Sequence, residues 1–269
     1  MAAPPGPRDL CPWRAPVGHS AARALPTGAR RTVTYESGGR TLAAEVVVPP
    51  GIGRVPAVMI AHTAIGPQED FIRDKAADVA ERLGCVAFAL DLFGAGKCVF
   101  GEEKDRYNDE LRGEGRKVLV ARARAARDAL CTLDEVDPER LAIVGFCLGG
   151  KAAVDVVRAR VPGVKCAVSI HGVLDAPDAL PVADPPSSAR ILCLHGAADP
   201  FVPDVAAFEQ DMKRRGLSYE LVAFDNCVHA FTRPDKTSES DREAGLFFDG
   251  DAAETSYEKT MALLEECLR

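Results

Sequence analysis

The chain has 269 residues, with 33 basic against 40 acidic side chains for a net charge of −7, and 47% of it is hydrophobic. That composition suits a globular protein with one sizeable core. Its mild acidity excludes the dense basic face that a nucleic acid or an anionic membrane demands, and no apolar run approaches the roughly 20 residues needed to span a bilayer.

Residues 1–30 are rich in Pro, Ala and Arg, and Asp9 is their only acidic side chain. They lack the apolar core of a secretory signal, so they read as a disordered tail; an acid-poor, basic start is also the composition of an organelle transit segment. The domain proper is expected over 31–269. Strands over 32–35 and 42–48 flank Ser37-Gly38-Gly39, a hairpin signature. The apolar run 55–62 reads as a buried strand. A helix is expected over 67–83, because Ile72, Ala76, Val79, Ala80 and Leu83 share one helical face and Gly84 suits its end. A strand over 85–90 leads into Asp91-Leu92-Phe93-Gly94. A long helix over 105–133 follows, with a break expected near Gly113 and Gly115. Then come a strand over 141–145, a helix from Leu148, strands over 165–170 and 190–195, a helix over 203–215, a strand over 218–223 and a last helix over 252–268. Strand and helix alternate, and the strands are apolar throughout rather than every second residue. This predicts an α/β fold with a mostly parallel central sheet and helices on both faces.

The nine cysteines are scattered, without a CxxC, and several fall inside strand-like runs. They read as mostly free thiols in a reducing, cytoplasmic setting. No cluster has metal-ligand spacing and no glycine-rich loop is of the phosphate-binding type, so neither metal nor cofactor is expected.

Gly145-Phe146-Cys147-Leu148-Gly149-Gly150 carries the chemistry. It follows a predicted strand and opens a predicted helix, the layout of a nucleophile elbow with Cys in the place of Ser. The flanking glycines let strand and helix approach closely. The Leu148 amide at the helix start is suited to a developing oxyanion. A histidine later in the chain should serve as base. His62, His171 and His195 each end a strand and read as structural, whereas His229 lies in a loop after the last parallel strand, where this fold places its base. The loop 196–200 offers Asp199 to orient that imidazole; Asp204 competes but suits the start of the next helix. The loop after strand 55–62 should supply a second oxyanion donor, the amide of Ala64.

Gly-Phe-Cys-Leu-Gly-Gly, then His-Gly-Ala-Ala-Asp-Pro-Phe-Val-Pro from His195, then His-Ala-Phe-Thr-Arg-Pro from His229, together with Asp91-Leu92-Phe93-Gly94, resemble the dienelactone hydrolase family (carboxymethylenebutenolidases) of the α/β-hydrolase superfamily. The resemblance runs from about Arg31 to Arg269 and implies an esterase or lactonase with a Cys147–His229–Asp199 triad. It implies that Arg233 binds a substrate carboxylate, with a second arginine after Asp91, for which Arg106 and Arg112 compete. It also marks a departure: Thr63 stands where well-known members have a glutamate that keeps the resting cysteine a thiol, with Glu69 a few residues on as a substitute. Without that carboxylate, Cys147 is expected to rest partly as a thiolate beside a protonated His229.

The stretch 171–190 is short and proline-rich, too small for a substantial cap domain, which suits a small-molecule ester or lactone, carboxylate-bearing if Arg233 has the family role. A monomer or small homo-oligomer is expected. Two rivals stand beside this reading: a hydrolase of thioesters or other small acyl compounds, and a catalytically degenerate ligand-binding fold.

Overall fold

A computed structural model describes residues 28–269 apart from 52, 95, 178–179 and 203; the tail expected over 1–30 falls almost wholly outside the described residues. Eight strands form one sheet in the order β1-β2-β4-β3-β5-β6-β7-β8. β1 (Ala29–Ser37) and β2 (Arg40–Val48) make the expected antiparallel hairpin, paired along their full length. Gly38 and Gly39 turn it with φ of +59° and +74°, the left-handed pair that a two-residue hairpin requires. β2 runs antiparallel to β4 (Val86–Leu90), and every later neighbour is parallel: β3 (Val55–Ala61), β5 (Val136–Phe146), β6 (Val164–Ile170), β7 (Arg190–Gly196) and β8 (Tyr219–Phe224).

The apolar runs are continuous because both faces of the sheet are covered. On β5, Leu141 and Ile143 enter a core shared with α2 (Gly101–Arg112), α3 (Lys117–Leu130), α4 (Leu148–Arg158) and α5 (Val205–Arg214). Ala142, Val144 and Phe146 point the other way, into a core shared with α1 (Asp70–Leu83) and α7 (Gly250–Leu268). Each fully buried Leu, Ile, Val or Phe contributes about 1.5–3 kcal/mol by leaving water.

Several boundaries moved for local reasons. The first helix begins at Asp70, because Glu69 holds an extended backbone and serves as its N-cap; Gly84 ends it with φ +59°. The long helix is two helices. Between α2 and α3, Glu114–Arg116 form a 3-10 turn in which Gly115 takes φ +61°, the break expected from the two glycines. One element went unforeseen. α6 (Glu239–Glu243) buries none of its residues, so it has no apolar periodicity to read; Ser238 and Asp241 hold it by a capping box.

The described residues between β6 and β7 contain neither helix nor strand, which leaves the sheet uncapped there. Arg215 clamps this segment, donating to the carbonyls of Leu180 (2.9 Å), Pro181 (3.0 Å) and Pro177 (3.2 Å). It belongs to a buried ionic chain. Asp155 accepts from Arg116 and Arg158, both at 2.8 Å, and Asp211 accepts from Arg158 at 3.0 Å and Arg215 at 2.8 Å. Among the described residues no helix is long and apolar enough to cross a membrane.

Removing Asp155 leaves two buried guanidiniums with one carboxylate fewer, since Arg116 keeps only Asp175 and Arg158 only Asp211. Asp155→Ala is therefore expected to lower the unfolding free energy by about 3–5 kcal/mol, whereas Lys259→Ala, which breaks an exposed pair with Glu220, should cost under about 1 kcal/mol. Urea unfolding of the two variants checks this; comparable losses would refute the buried chain's role.

Candidate active site

Cys147 occupies the bend between β5 and α4 at φ 55°, ψ −115°, a backbone strained for any residue with a Cβ, at a cost of about 1–3 kcal/mol. Three neighbours without side chains allow the bend. A Cβ on Gly145 would lie 1.9 Å from the Gly149 carbonyl oxygen, one on Gly149 would lie 2.1 Å from the Ala61 carbonyl oxygen, and one on Gly150 would lie 2.6 Å from Gly172 Cα. Strand β3, the elbow and helix α4 are therefore in backbone contact. The Cys147 amide donates to Ile170 on β6 at 3.1 Å, which ties the bend to the next strand. Cys147 is itself only half-buried.

The loop after β8 brings His229 to the same edge of the sheet. Its backbone is pinned on both sides: its amide donates to Gly245 at 3.0 Å, and its carbonyl accepts from Phe247 at 3.0 Å. The loop after β7 brings Asp199. Its Oδ2 lies 2.7 Å from His229 Nδ1, and its Oδ1 accepts the Phe201 amide at 2.8 Å. A carboxylate there holds the proton on Nδ1 and leaves Nε2 free to face Cys147, whose titration His229 influences most among the charged groups. Asp204, the competitor, caps α5 by accepting from Ala207 at 2.9 Å.

The backbone amides of Leu148 and Ala64 are both among the groups that favour the ionised form of Cys147. These are the two donors nominated for the oxyanion. Burial opposes ionisation of the thiol, yet the charge and hydrogen bond of His229 and the two amides outweigh it and hold the thiol below its ordinary range. Burial likewise opposes a charged His229, but the Cys147 charge and the bonds to Asp199 and Cys147 raise it well above its ordinary value. Each shift draws largely on the other group's charge, so the thiol and the imidazole titrate as a pair.

The remaining histidines of the sheet edge have other occupations. His62 Nε2 accepts the Leu92 amide at 3.0 Å, so its Nδ1 donates to the Thr63 carbonyl at 2.6 Å. His171 reaches Thr232 Oγ1 at 2.9 Å. Burial pushes His62, His171 and His195 below their ordinary value, keeping them neutral. Asp91 organises the following loop by accepting the amides of Phe93 (2.8 Å), Gly94 (2.9 Å) and Gly96 (2.9 Å).

Thr63 donates to Glu69 Oε2 at 2.7 Å, and Glu69 Oε1 accepts from Arg233 Nη1. Arg233 also meets Asp235 through two bonds of 2.9 and 2.8 Å, and its guanidinium lies 4.7 Å over the Phe71 ring. Glu69 is thus brought back to Thr63, one residue from an oxyanion donor. Asp235 and Phe201 were not singled out in the sequence. Phe201 packs edge-on to His229 at 5.0 Å between ring centroids, although it is 47% exposed. Arg106 and Arg112, the candidates for a second substrate arginine, are both exposed, and Arg106 faces Glu103 at 3.7 Å.

The dienelactone hydrolase family profile matches residues 42–268. Similar in sequence is a Bradyrhizobium protein named "Probable 2-oxo-3-(5-oxofuran-2-ylidene)propanoate lactonase", 31% identical over 214 residues, covering 74% of this chain and 82% of that one. An uncharacterized Caenorhabditis elegans protein is 31% identical over 150 residues, 55% of this chain and 93% of its own length. In structure, the chain is similar to P91, a dienelactone hydrolase-like promiscuous phosphotriesterase from metagenomic libraries, with a TM-score of 0.81 and 27% identity over 90% of this chain and 99% of that one.

An acidic Cys147 has a direct readout. Falling pH protonates a thiolate and slows its alkylation, so iodoacetamide labelling of Cys147, followed by peptide mass analysis, should show an inflection below that of an ordinary thiol. In His229→Ala the inflection should rise toward about 8.5, the ordinary thiol value. An unchanged profile in that variant would refute the coupling.

Proposed function

Because the chain belongs to the dienelactone hydrolase family, we propose that it cleaves a small ester or lactone by attack of Cys147, through an acyl-enzyme thioester. That it is a hydrolase acting on esters or lactones follows from the family and from its lactonase relative. The observation that supports the nucleophile is the placement of Cys147 on the strained bend that opens α4, at the sheet edge that also carries the His229–Asp199 pair at 2.7 Å.

In this reading the thiolate adds to the carbonyl carbon. The carbonyl electrons move to oxygen, which takes up the two amide donors; each such donor is worth about 10²–10³ in rate. Collapse of the tetrahedral adduct expels the alkoxide, which takes the Nε2 proton of the His229 imidazolium. The acyl group remains as a thioester. For a lactone the alkoxide stays tethered, so this step opens the ring. Water then enters, His229 now neutral takes its proton, and hydroxide adds to the thioester carbon. The second collapse releases the carboxylic acid and returns the sulfur as thiolate beside a protonated His229. Asp199 holds the imidazole's orientation and stabilises its charge throughout. The segment 171–190, which forms no cap domain, leaves the mouth open to small substrates.

Purified protein should turn over p-nitrophenyl acetate. Cys147→Ala should abolish that turnover, and His229→Ala should reduce it by about 10²-fold or more. Turnover that survives in Cys147→Ala would overturn the assignment, and absence of turnover in the parent protein across a panel of simple esters and lactones would favour the degenerate ligand-binding fold.

A further inference from the structure

A second pair of thiols, Cys166 and Cys267, lies where α7 ends over the sheet. Cys166 is buried on β6, in register with Ala142 on β5 and Arg190 on β7. α7 packs on the face of these strands that carries Ala142, Cys166 and Leu192. Its last turn is anchored on both flanks. Glu266 pairs with Arg190 of β7 at 2.5 Å, and the Leu268 carbonyl accepts from Arg140 of β5 at 3.4 Å. β6 runs between those two strands, so Cys267, the residue between the two anchors, comes down on the strand that holds Cys166. It packs against the same core cluster. The two titrations agree with this placement. Cys166 and then the Arg190 charge draw Cys267 below its ordinary value, against partial burial and the Glu266 charge, while Cys267 and burial push Cys166 well above its own. The end of a helix disfavours a negative charge, so the guanidinium of Arg190 is the group that offsets it. Cys267 is partly exposed, and its neighbours Arg190, Leu263 and Glu266 line an open groove that gives a small solute access.

We propose that Cys267 is an oxidation site for hydroperoxides and that Cys166 resolves it as a disulfide, which staples α7 to β6. The Cys267 thiolate attacks one oxygen of hydrogen peroxide. The O–O bond breaks, hydroxide leaves and takes up a proton as water, and Cys267 becomes a sulfenic acid. Cys166 then attacks the Cys267 sulfur. The S–S bond forms, the S–O bond breaks, and the departing hydroxide takes the Cys166 proton as a second water. The two thiols lose two electrons and the peroxide gains them; an external thiol reverses the bond by exchange. Oxidation of Cys267 also removes the charge that holds Cys166 protonated, so the first step prepares the second. The site stands apart from the elbow and does not depend on Cys147 as nucleophile. Its staple nevertheless reaches the sheet edge, because Ala252, Ala253 and Tyr257 of α7 share a core with Cys227 and Phe231 on either side of His229.

The test treats the full chain, and the same chain with Cys147→Ala so that the elbow sulfur consumes no oxidant, with excess hydrogen peroxide. Each is quenched in acid, alkylated and mapped as peptides. A peptide linking Cys166 to Cys267 should accumulate in both and vanish with dithiothreitol. Cys267→Ser should abolish it. In Cys166→Ala the sulfenic acid has no resolving thiol, so dimedone should label Cys267 at least about threefold more than in the parent. The oxidised chain should melt at least about 4 °C above the reduced one, a gain absent from Cys267→Ser. A Cys267 that stays reduced, ends as sulfinic or sulfonic acid without any linked peptide, or links to a different cysteine overturns the proposal. A melting point unmoved by the bond overturns the staple. Should Cys166→Ala fail to fold, the linked peptide in the parent and its loss in Cys267→Ser still decide the question.

Discussion

Everything at the sheet edge depends on a backbone approach that no side chain at Gly145 or Gly149 could tolerate. With a Cβ on Gly145 1.9 Å from the Gly149 carbonyl oxygen, and one on Gly149 2.1 Å from that of Ala61, strand and helix would be forced apart and the bend at Cys147 would relax. The positive φ of Cys147 is an energetic cost that the cysteine cannot recover locally. It is held by what lies on either side: a strand buried on both faces and a helix whose residues from Leu148 to Arg158 are all buried. A strained residue persists where its surroundings over-determine it, and here both halves of the sheet's core do so. The same approach sets the Ala61–His62 backbone against the start of α4, so the amides of Ala64 and Leu148, from two different elements, both bear on the Cys147 thiol.

Those neighbours bear on the thiol's titration. Three of the described cysteines, Cys85, Cys193 and Cys227, are pushed up to about 12 by burial, which is the normal fate of a sulfur inside a core. Cys147, only half-buried, is also opposed by desolvation and is nevertheless shifted below its ordinary value. The difference comes from a cation and two oriented amides. His229 can be that cation because Asp199 sits at 2.7 Å from Nδ1 and because His171, whose ring centroid lies 5.2 Å away, is kept neutral by its burial. A charged His171 would repel the imidazolium. The structural histidine therefore contributes to the proposed chemistry by not titrating.

Much of this was legible in the sequence, and what was legible shares one property. The strands announced themselves as continuous apolar runs, because a strand covered on both faces has no polar side to betray its period. Gly38-Gly39, Gly84 and Gly113/Gly115 marked turns and breaks because each needs, or permits, a backbone that other residues resist. The elbow was legible for the same reason: its glycines are required by contact distances and not by taste. Asp199 and His229 could be placed at one edge because every parallel strand delivers its following loop there. What stayed hidden depends on partners far apart in sequence and without periodicity. The chain Arg116–Asp155–Arg158–Asp211–Arg215 joins separate segments through ordinary surface-type residues, and α6 buries nothing. Asp235 looked like a loop aspartate. Glu69 could be named as a candidate to reach Thr63, but its pairing with Arg233, 164 positions away, has no local signature.

The pairing of Glu69 with Arg233 shows how a charged side chain at a matched position is held by its own chain. An arginine offers a fork of donors to any carboxylate, and it does not distinguish one in the substrate from one in its own chain. The internal carboxylates are delivered by the fold, and Asp235 takes two nitrogens at 2.9 and 2.8 Å. Stacking of the guanidinium on Phe71 further fixes it where the two carboxylates meet it. An arginine so held still acts on the site, by fixing Glu69, which receives the Thr63 hydroxyl, and so by steadying the loop that carries the Ala64 amide. In that arrangement the cation ties the loop after β3 to the loop after β8.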